Sequence, residues 1–311
     1  MSPLLSVVIP TYHRNDSLTQ TLKALTPGAQ TLSSDQYEVI VSDAGTRSTA
    51  EALIREQYSW AQWIAAPGCN PGLNRNAGAG IAKGSWLVFL DDDCRIGPEF
   101  LQGYSAKAVN DEFDVLEGKL TCLEKTNSGF RRQPENLNGG LLFTASIAIR
   151  REVFFRIGPF DADLRMAEDM ELAFRLKVSG QRIGFCPDAV ADHPSQKLPL
   201  SFMLKWQFQR HWYLLYRYKT GSAAPLEQSD IITFLTLALH EITYVLRTTF
   251  HLFSRHNPAT WRHNWFGNAA WVFLLSPLVI PHSLYWEMRY RQLIRSGKIK
   301  IRPLPTMDRR P

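Results

Sequence analysis

Short apolar runs alternate with longer amphipathic segments along the first part of the chain, and this alternation predicts its secondary structure. Buried strands are predicted where the runs end at polar residues, glycine or proline, at residues 5–10, 37–42, 62–65 and 85–90. Helices are predicted between them, at residues 16–25, 48–57 and 74–82, with Asp16 or Ser17 as the first N-cap. Strands and helices that alternate at this spacing predict an α/β fold with a doubly wound, mainly parallel sheet.

The pattern changes near residue 197, where aromatic residues begin to alternate with lysine and arginine. This arrangement predicts an amphipathic helix of the kind that lies at a membrane interface. Crossing a bilayer needs about 20 mostly apolar residues. Residues 231–253 are strongly apolar but interrupted by charged residues, and residues 268–286 approach that length but are broken by prolines. Monotopic attachment is the favoured interpretation, and a helical subdomain packed on the sheet or a true membrane span are the alternatives. Nucleic-acid binding is disfavoured, because long aliphatic runs separate the aromatic residues.

Charge divides the chain at the same place. Residues 1–196 carry 19 lysines and arginines against 24 acidic residues, whereas residues 197–311 carry 16 against 5. We therefore predict a catalytic domain at residues 1–196 and a basic, helical, membrane-associating region at residues 197–311, with its tail on anionic headgroups. The four cysteines form no CxxC pair, which argues against a disulfide framework and fits a reducing compartment. The N-terminus lacks a basic segment before its apolar run, so no signal peptide is predicted.

Three consecutive carboxylates, Asp91, Asp92 and Asp93, follow the predicted strand at residues 85–90. Ligands of open α/β sheets bind at the carboxyl ends of the strands. Carboxylates that are buried there need a cation, and oxygen ligands suit Mg²⁺ or Mn²⁺, which would hold a diphosphate. The alternative is a solvated acidic turn. Residues 78–84 are rich in glycine but precede a strand, which excludes a dinucleotide fingerprint, and no Walker lysine, GxSxG or HExxH motif is present.

Seven segments, in this order, resemble the family 2 glycosyltransferases with the GT-A fold. They are residues 7–14, 39–43, 74–78, 89–93, 148–153, 157–161 and 168–175. Among them, Phe89-Leu90-Asp91-Asp92-Asp93 resembles the DxD metal motif, and Glu168-Asp169 resembles the Glu-Asp pair of the catalytic helix. The sequence departs from the family at Ala44 and Ser48, where acids often follow the second strand. A minor departure is Asn74, which stands where the family has alanine.

The resemblance implies roles for individual residues. The donor would be bound by residues of three strand ends and one helix, namely Pro10, Thr11, Tyr12, Arg14, Asp43, Arg75, Asp91 and Asp92. Mn²⁺ or Mg²⁺ would be held by Asp91, Asp93 and His193. Asp169 would be the general base, at a helix N-terminus whose dipole favours the carboxylate, and Glu168 would face the acceptor.

Each of these roles has a structural alternative when the residue is considered by itself. Taken alone, Asp43 is typical of a turn residue, His193 of a surface or hydrogen-bonded histidine, and Asp169 of a cap of the helix at residues 168–178. An exposed helix arginine is the alternative for Arg75. Glu171 and Arg175 are spaced for a surface ion pair.

The sequence thus predicts an inverting, metal-dependent glycosyltransferase, peripheral or monotopic at the cytoplasmic face of the cell membrane. Its partners would be a nucleotide-sugar donor, a glycan or polyprenyl-linked acceptor and an anionic membrane surface, with no nucleic acid. The alternative is a non-catalytic nucleotide-sugar scaffold or sensor, which would have no need of Asp91, Asp93, Asp169 and His193 together. A nucleotidyltransferase would require a loop rich in glycine and lysine after the first strand, and none is present.

Overall fold

The apolar runs form the central strands of the fold, as the sequence predicts. The computed structural model describes residues 3–68, 70–124, 131–132, 134–197, 208–209, 211–223, 226, 232, 239, 243, 278 and 280–301. The strands in chain order are β1 (Leu5–Thr11), β2 (Tyr37–Asp43), β3 (Gln62–Ala65), β4 (Trp86–Leu90), β5 (Arg95–Ile96), β6 (Val115–Thr121), β7 (Arg131–Arg132), β8 (Ser146–Arg150), β9 (Ile183–Asp192) and β10 (Gln196–Lys197). The four runs predicted from the pattern are β1 to β4, and their ends differ from the prediction by at most one residue.

The helices include all those predicted, with differences at their N-termini. They are α1 (Asn15–Leu25), α2 (Glu51–Gln57), α3 (Pro71–Ile81), α4 (Phe100–Ala108), α5 (Arg151–Ile157), α6 (Glu168–Val178), α7 (His211–Lys219) and α8 (residues 280–295). The predicted cap of α1 is wrong, because that helix begins at Asn15 without a side-chain cap. The helix α3 begins earlier than predicted, because Asn70 caps it by accepting hydrogen bonds from the N–H groups of Gly72 and Leu73.

Eight strands form one sheet in the order β3-β2-β1-β4-β8-β6-β9-β5. The first four are parallel, and β6 and β9 are also parallel. The strand β8 runs antiparallel to both β4 and β6, and β5 runs antiparallel to β9. The prediction of a mainly parallel sheet therefore describes only the first half, and the sheet as a whole is mixed.

Both faces of this sheet are covered, which confirms a doubly wound arrangement. Val7 and Ile9 of β1 pack on one face with side chains of α1 and α4. Val8 points to the other face and packs in the cluster that contains residues of α3, α5 and α6. Because successive residues of β1 are buried on opposite faces, its sequence is a continuous apolar run. The carboxyl ends of β1, β2 and β4 consequently lie side by side at one edge, where the predicted site residues follow.

The described residues divide into two compact units, one before residue 125 together with residues 134–194, and a second with residues 131–132 and the described residues from 195 onward. In the second unit α7 packs against α8, with the ring of His211 stacked on Trp286 at 4.1 Å between centroids. Burial lowers the pKa of His211 to about 4, so this ring is neutral at physiological pH. The predicted segments at residues 231–253 and 268–286 lie largely outside the described residues. None of the helices in the described part has the length and apolarity to cross a membrane.

Candidate functional site

The three aspartates that follow β4 point in different directions. Asp92 is buried, accepts a 2.7 Å hydrogen bond from Thr11 Oγ1 and lies 3.0 Å from Arg14 Nη1. Burial raises the pKa of Asp92 to about 6, while Arg14 and the Thr11 hydroxyl oppose that rise. Asp92 thus joins the end of β4 to the end of β1 and fixes the loop. Asp91 and Asp93, on either side of it, face a common point.

Asp91, Asp93 and His193 can each offer one ligand atom to a metal ion, and these atoms lie within 4.8 Å of one another. His193 follows β9, and its Nε2 is 3.5 Å from Asp93 Oδ1 and 3.9 Å from Asp91 Oδ2. Its Nδ1 is 2.9 Å from the carbonyl oxygen of Pro194. A carbonyl only accepts, so Nδ1 carries the hydrogen of this contact, and Nε2 faces the carboxylates. Two carboxylates and an imidazole nitrogen directed at one point fit a divalent cation.

Arg14 is the third residue after β1 and neutralises part of this cluster. Besides its contact with Asp92, it forms a short ion pair with Asp93, although its side chain remains 43% exposed. The guanidinium thus lies against the acidic loop. Its predicted contact with the donor stays a prediction.

Arg75 joins the acidic loop to the helix α6. Its Nη2 is 2.8 Å from Asp91 Oδ1 and its Nη1 is 3.1 Å from Glu168 Oε1. The alternative of an exposed helix arginine is wrong, because Arg75 is only 5% exposed. The helix α3 places it there by close packing on β1, since a Cβ on Gly78 would lie 2.5 Å from Cγ1 of Val8.

Glu168 and Asp169 are the first two residues of α6, after Ala167 in a left-handed conformation with φ of 63°. Glu168 is buried against Arg75, and burial raises its pKa to about 7 while Arg75 opposes the rise. Asp169 is partly exposed, and its Oδ1 accepts a hydrogen bond from the N–H of Met170. The first turn of α6 thus carries a buried acid directly followed by a partly exposed one.

Asp43 ends β2, and its carboxylate is used within the protein. Its oxygens accept hydrogen bonds from the backbone N–H groups of Gly45 and Ala50 and from the indole N–H of Trp63. These bonds close the loop that precedes α2, as in the interpretation of Asp43 as a turn residue. Its predicted contact with the donor stays a prediction.

A cavity of about 240 Å³ opens at this edge of the sheet. Nine residues line it, namely Pro10, Thr11, Tyr12, Arg14, Pro71, Asn74, Arg75, Asp91 and Asp92. Seven of them are among the predicted donor-binding residues, and Pro71 and Asn74 were not predicted. The sequence feature that points to Asn74 is that an asparagine stands where the family has alanine. A larger cavity of about 590 Å³ lies beside the opposite ends of β1, β2 and β4, away from the aspartates.

The pair Glu171 and Arg175 differs from its prediction. They form the predicted ion pair, at 2.7 Å, but both side chains are buried rather than at the surface. Arg175 also donates to the carbonyl oxygens of Ile157 and Pro159, 2.9 and 3.0 Å away. The pair therefore anchors α6 to the loop after α5.

Comparison with known proteins places this site in a family. The chain is 29% identical over 188 residues to an uncharacterized glycosyltransferase of Haemophilus influenzae, covering 56% of this chain and 62% of that protein. It is 27% identical over 267 residues to the glycosyltransferase AglE of Haloferax volcanii, covering 79% of this chain and 86% of AglE.

Solved structures share the fold. They include S. aureus TarS residues 1–349 in complex with UDP-GlcNAc, with a TM-score of 0.54, 18% identity, and coverage of 94% of this chain and 92% of that one. The mannosyltransferase PcManGT of Pyrobaculum calidifontis, in complex with GDP-Man and Mn²⁺, has a TM-score of 0.51 and 16% identity over 96% of this chain and 80% of that one. The model of glycosyl transferase family 2 matches residues 6–168, more than half of the chain. The chain therefore belongs to glycosyl transferase family 2.

Proposed function

We propose that this protein is an inverting, divalent-metal-dependent glycosyltransferase that moves a sugar from a nucleotide-sugar donor to an acceptor hydroxyl. The observation that carries the proposal is the convergence of Asp91, Asp93 and His193 beside a cavity at the strand ends. Arg75 links that cluster to the start of α6, where Asp169 is open to solvent. A non-catalytic scaffold would have no need of three metal-ligand atoms directed at one point.

The chemistry divides between the two ends of the site. When bound at Asp91, Asp93 and His193, Mn²⁺ or Mg²⁺ would neutralise the charge that develops on the leaving diphosphate. Asp169 accepts the proton of the acceptor hydroxyl while its oxygen bonds to the anomeric carbon and the bond from that carbon to the diphosphate breaks. This single displacement inverts the anomeric configuration and forms no covalent glycosyl-enzyme. Arg75 holds the Asp91 and Glu168 carboxylates in place during the reaction.

Relatives support a glycan or polyprenyl-linked acceptor. The chain is 31% identical over 121 residues to the poly(ribitol-phosphate) β-glucosyltransferase of Bacillus spizizenii. It is 30% identical over 147 residues to the undecaprenyl-phosphate 4-deoxy-4-formamido-L-arabinose transferase of Edwardsiella ictaluri. These matches cover 37% and 44% of this chain, so they suggest a class of acceptor and not a particular one.

The proposal also includes attachment of the protein to the cytoplasmic face of an anionic membrane. Residues 1–196 would form the catalytic domain, and residues 197–311 would bind the membrane. The basic excess of the second region supports it. So does α8, on which the apolar side chains of Tyr285 and Met288 are more than half exposed beside Arg289. Apolar and cationic groups on one helix face are typical of interfacial helices.

A thermal-shift screen tests the donor site. UDP, GDP, dTDP and CMP are added with and without Mn²⁺, and one nucleotide is expected to raise the melting temperature only when the metal is present. The variant Asp93→Asn is expected to lose that rise, whereas Asp188→Asn, at an exposed position of β9, keeps it. No rise with any nucleotide would contradict the proposal, and a covalent sugar adduct in mass spectrometry would contradict the single displacement.

A further inference from the structure

Asn74 occupies a position on α3 that packing alone does not explain. It is only 4% exposed and lies on the wall of the cavity, immediately before Arg75. Among the described residues, its Oδ1 is buried and has no hydrogen-bond partner. A buried amide oxygen without a partner destabilises the folded protein, because no hydrogen bond replaces the one it makes with water in the unfolded chain. An alanine here, as the family has, would avoid that cost.

Polar groups on the same wall are engaged elsewhere. The hydroxyl of Thr11 donates to Asp92, and the terminal nitrogens of Arg75 donate to Asp91 and Glu168. Asn76, two residues further along α3, shows the contrast. Its amide donates to the carbonyl oxygen of Phe160 at 2.9 Å and accepts from the N–H of Phe160 at 3.0 Å. Asn76 is therefore satisfied within the fold, whereas the oxygen of Asn74 has no partner among the described residues.

The chemistry of that partner follows from the atom that needs it. An amide oxygen accepts hydrogen bonds, so its partner carries an O–H or an N–H. An ionised diphosphate offers only acceptors and does not qualify. The diphosphate would moreover lie near Asp91, Asp93 and His193, and only Asp91 of these lines the cavity. The cavity is then left to the nucleoside, whose ribose hydroxyls and base N–H groups are donors.

Building on the proposed function, we propose that Asn74 is a specificity-determining residue whose side-chain oxygen accepts a hydrogen bond from an O–H or N–H group of the donor nucleoside. Residues that hydrogen-bond a ligand group discriminate strongly against analogues that lack it, because the buried polar atom is then left unpaired. The proposal explains why an asparagine is kept at a position where it has no partner within the protein.

Titration calorimetry on the full chain tests the proposal with Mn²⁺ present. The probe is whichever of UDP, GDP and dTDP binds the wild type most tightly, together with its analogues lacking the 3′-hydroxyl, the base N–H or, for UDP and GDP, the 2′-hydroxyl. Asn74→Ala is expected to raise the dissociation constant of the parent nucleotide about five- to tenfold. With one analogue, wild type and variant should bind equally, which identifies the hydroxyl or base N–H that Asn74 contacts.

Melting temperatures without nucleotide separate this role from a structural one. Asn74→Ala should melt at or above the temperature of the wild type, because it removes an unsatisfied buried atom. Asn76→Ala is the matched control and should melt several degrees lower, because it breaks two hydrogen bonds to Phe160.

Each outcome bears on a different claim. If the wild type binds none of the three nucleotides and CMP also fails to raise its melting temperature, the proposed function itself fails. If it binds one and Asn74→Ala binds it equally well, only the role of Asn74 is overturned. An equal loss of affinity with the parent and every analogue, or a lower melting temperature for Asn74→Ala, would also overturn that role.

Discussion

Glu168 and Asp169 are consecutive residues, yet their side chains have different surroundings. Asp169 is partly exposed, and the hydrogen bond that its Oδ1 accepts from Met170 can also be made by an asparagine. We therefore expect Asp169→Asn to lower the transfer rate at least a hundredfold, since the amide cannot accept the acceptor's proton, while the melting temperature stays unchanged. Sugar transfer and thermal unfolding are measured on the same preparation. Asp188→Asn serves as the control, and transfer by Asp169→Asn at the control's rate would remove Asp169 as the base.

Glu168 should give the protein a pH-dependent stability. Burial raises its pKa from 4.5 to about 7 in the folded protein. Between these values the folded state binds the proton that the unfolded state has released, so the free energy of unfolding falls as the pH rises. The stabilising contribution of Glu168 to the free energy of unfolding is fully present below about pH 4.5 and is lost as the pH passes 7.

Urea unfolding at several values from pH 5 to 8 measures this dependence. The variant Glu168→Gln should show a smaller decline over that range, because it carries no ionisable group while its amide oxygen can still accept from Arg75. A variant whose stability declines as steeply as that of the wild type would show that Glu168 keeps an ordinary pKa.

Sequence reasoning found the carboxylates of the site but not their partners. Asp91 to Asp93 were predictable because a polar cluster at the end of a buried strand is visible in the sequence itself. The contacts of Asp92 with Thr11 and of Arg75 with Glu168 join residues 81 and 93 positions apart. Such pairs depend on which strands and helices become neighbours in space. For the same reason the pair Glu171 and Arg175 was expected at the surface, since a spacing of four residues does not show which face of α6 is buried.

At the scale of elements, the parallel half of the sheet was predictable and the rest was not. The strands β1 to β4 alternate with helices, and that alternation implies parallel neighbours. The strand β8 lies between β4 and β6 and is antiparallel to both, although β4 and β8 are separated by more than fifty residues. No turn signal links strands that far apart. The strand β9 contains Pro187 and Asp188, which are unfavourable in strands, so its full length does not show in the sequence pattern.

The contact between α3 and β1 should decide the position of Arg75. Gly78→Ala would place a methyl group 2.5 Å from Cγ1 of Val8, which forces the helix away from the strand. We expect the free energy of unfolding to fall by about 1–3 kcal/mol and the affinity for nucleotide to fall with it. Urea unfolding and nucleotide titration measure the two effects.

Gly80, on the same helix, provides the control for this substitution. A Cβ there would meet no atom within 4 Å. Gly80→Ala should therefore leave nucleotide affinity unchanged and raise stability by about 0.5–1 kcal/mol through helix propensity. If both alanine variants were equally stable and bound nucleotide equally, close packing of α3 on β1 would not be what positions the donor site.

At the scale of the whole molecule, acidic and basic residues are concentrated in different parts of the chain. The first 196 residues are net acidic, whereas residues 197–311 carry 16 basic against 5 acidic side chains. This asymmetry was visible in the composition. Composition does not show which aromatic residues are buried. In the described part, Tyr218 and Tyr290 are buried and Trp286 stacks on His211, so these three aromatic residues stabilise the second unit.

The exposed face of α8 is where membrane attachment is best tested. Tyr285 and Met288 are 55% and 53% exposed, so replacing both with serine should leave the fold intact. We expect the full chain to sediment with phosphatidylglycerol vesicles, to be released by high salt, and to bind severalfold more weakly as the double variant Tyr285→Ser and Met288→Ser. Met170→Ser, at an exposed methionine of the first unit, is the control and should sediment like the wild type. Equal sedimentation of all three proteins would exclude this face, and no sedimentation of the wild type would exclude attachment to anionic lipid.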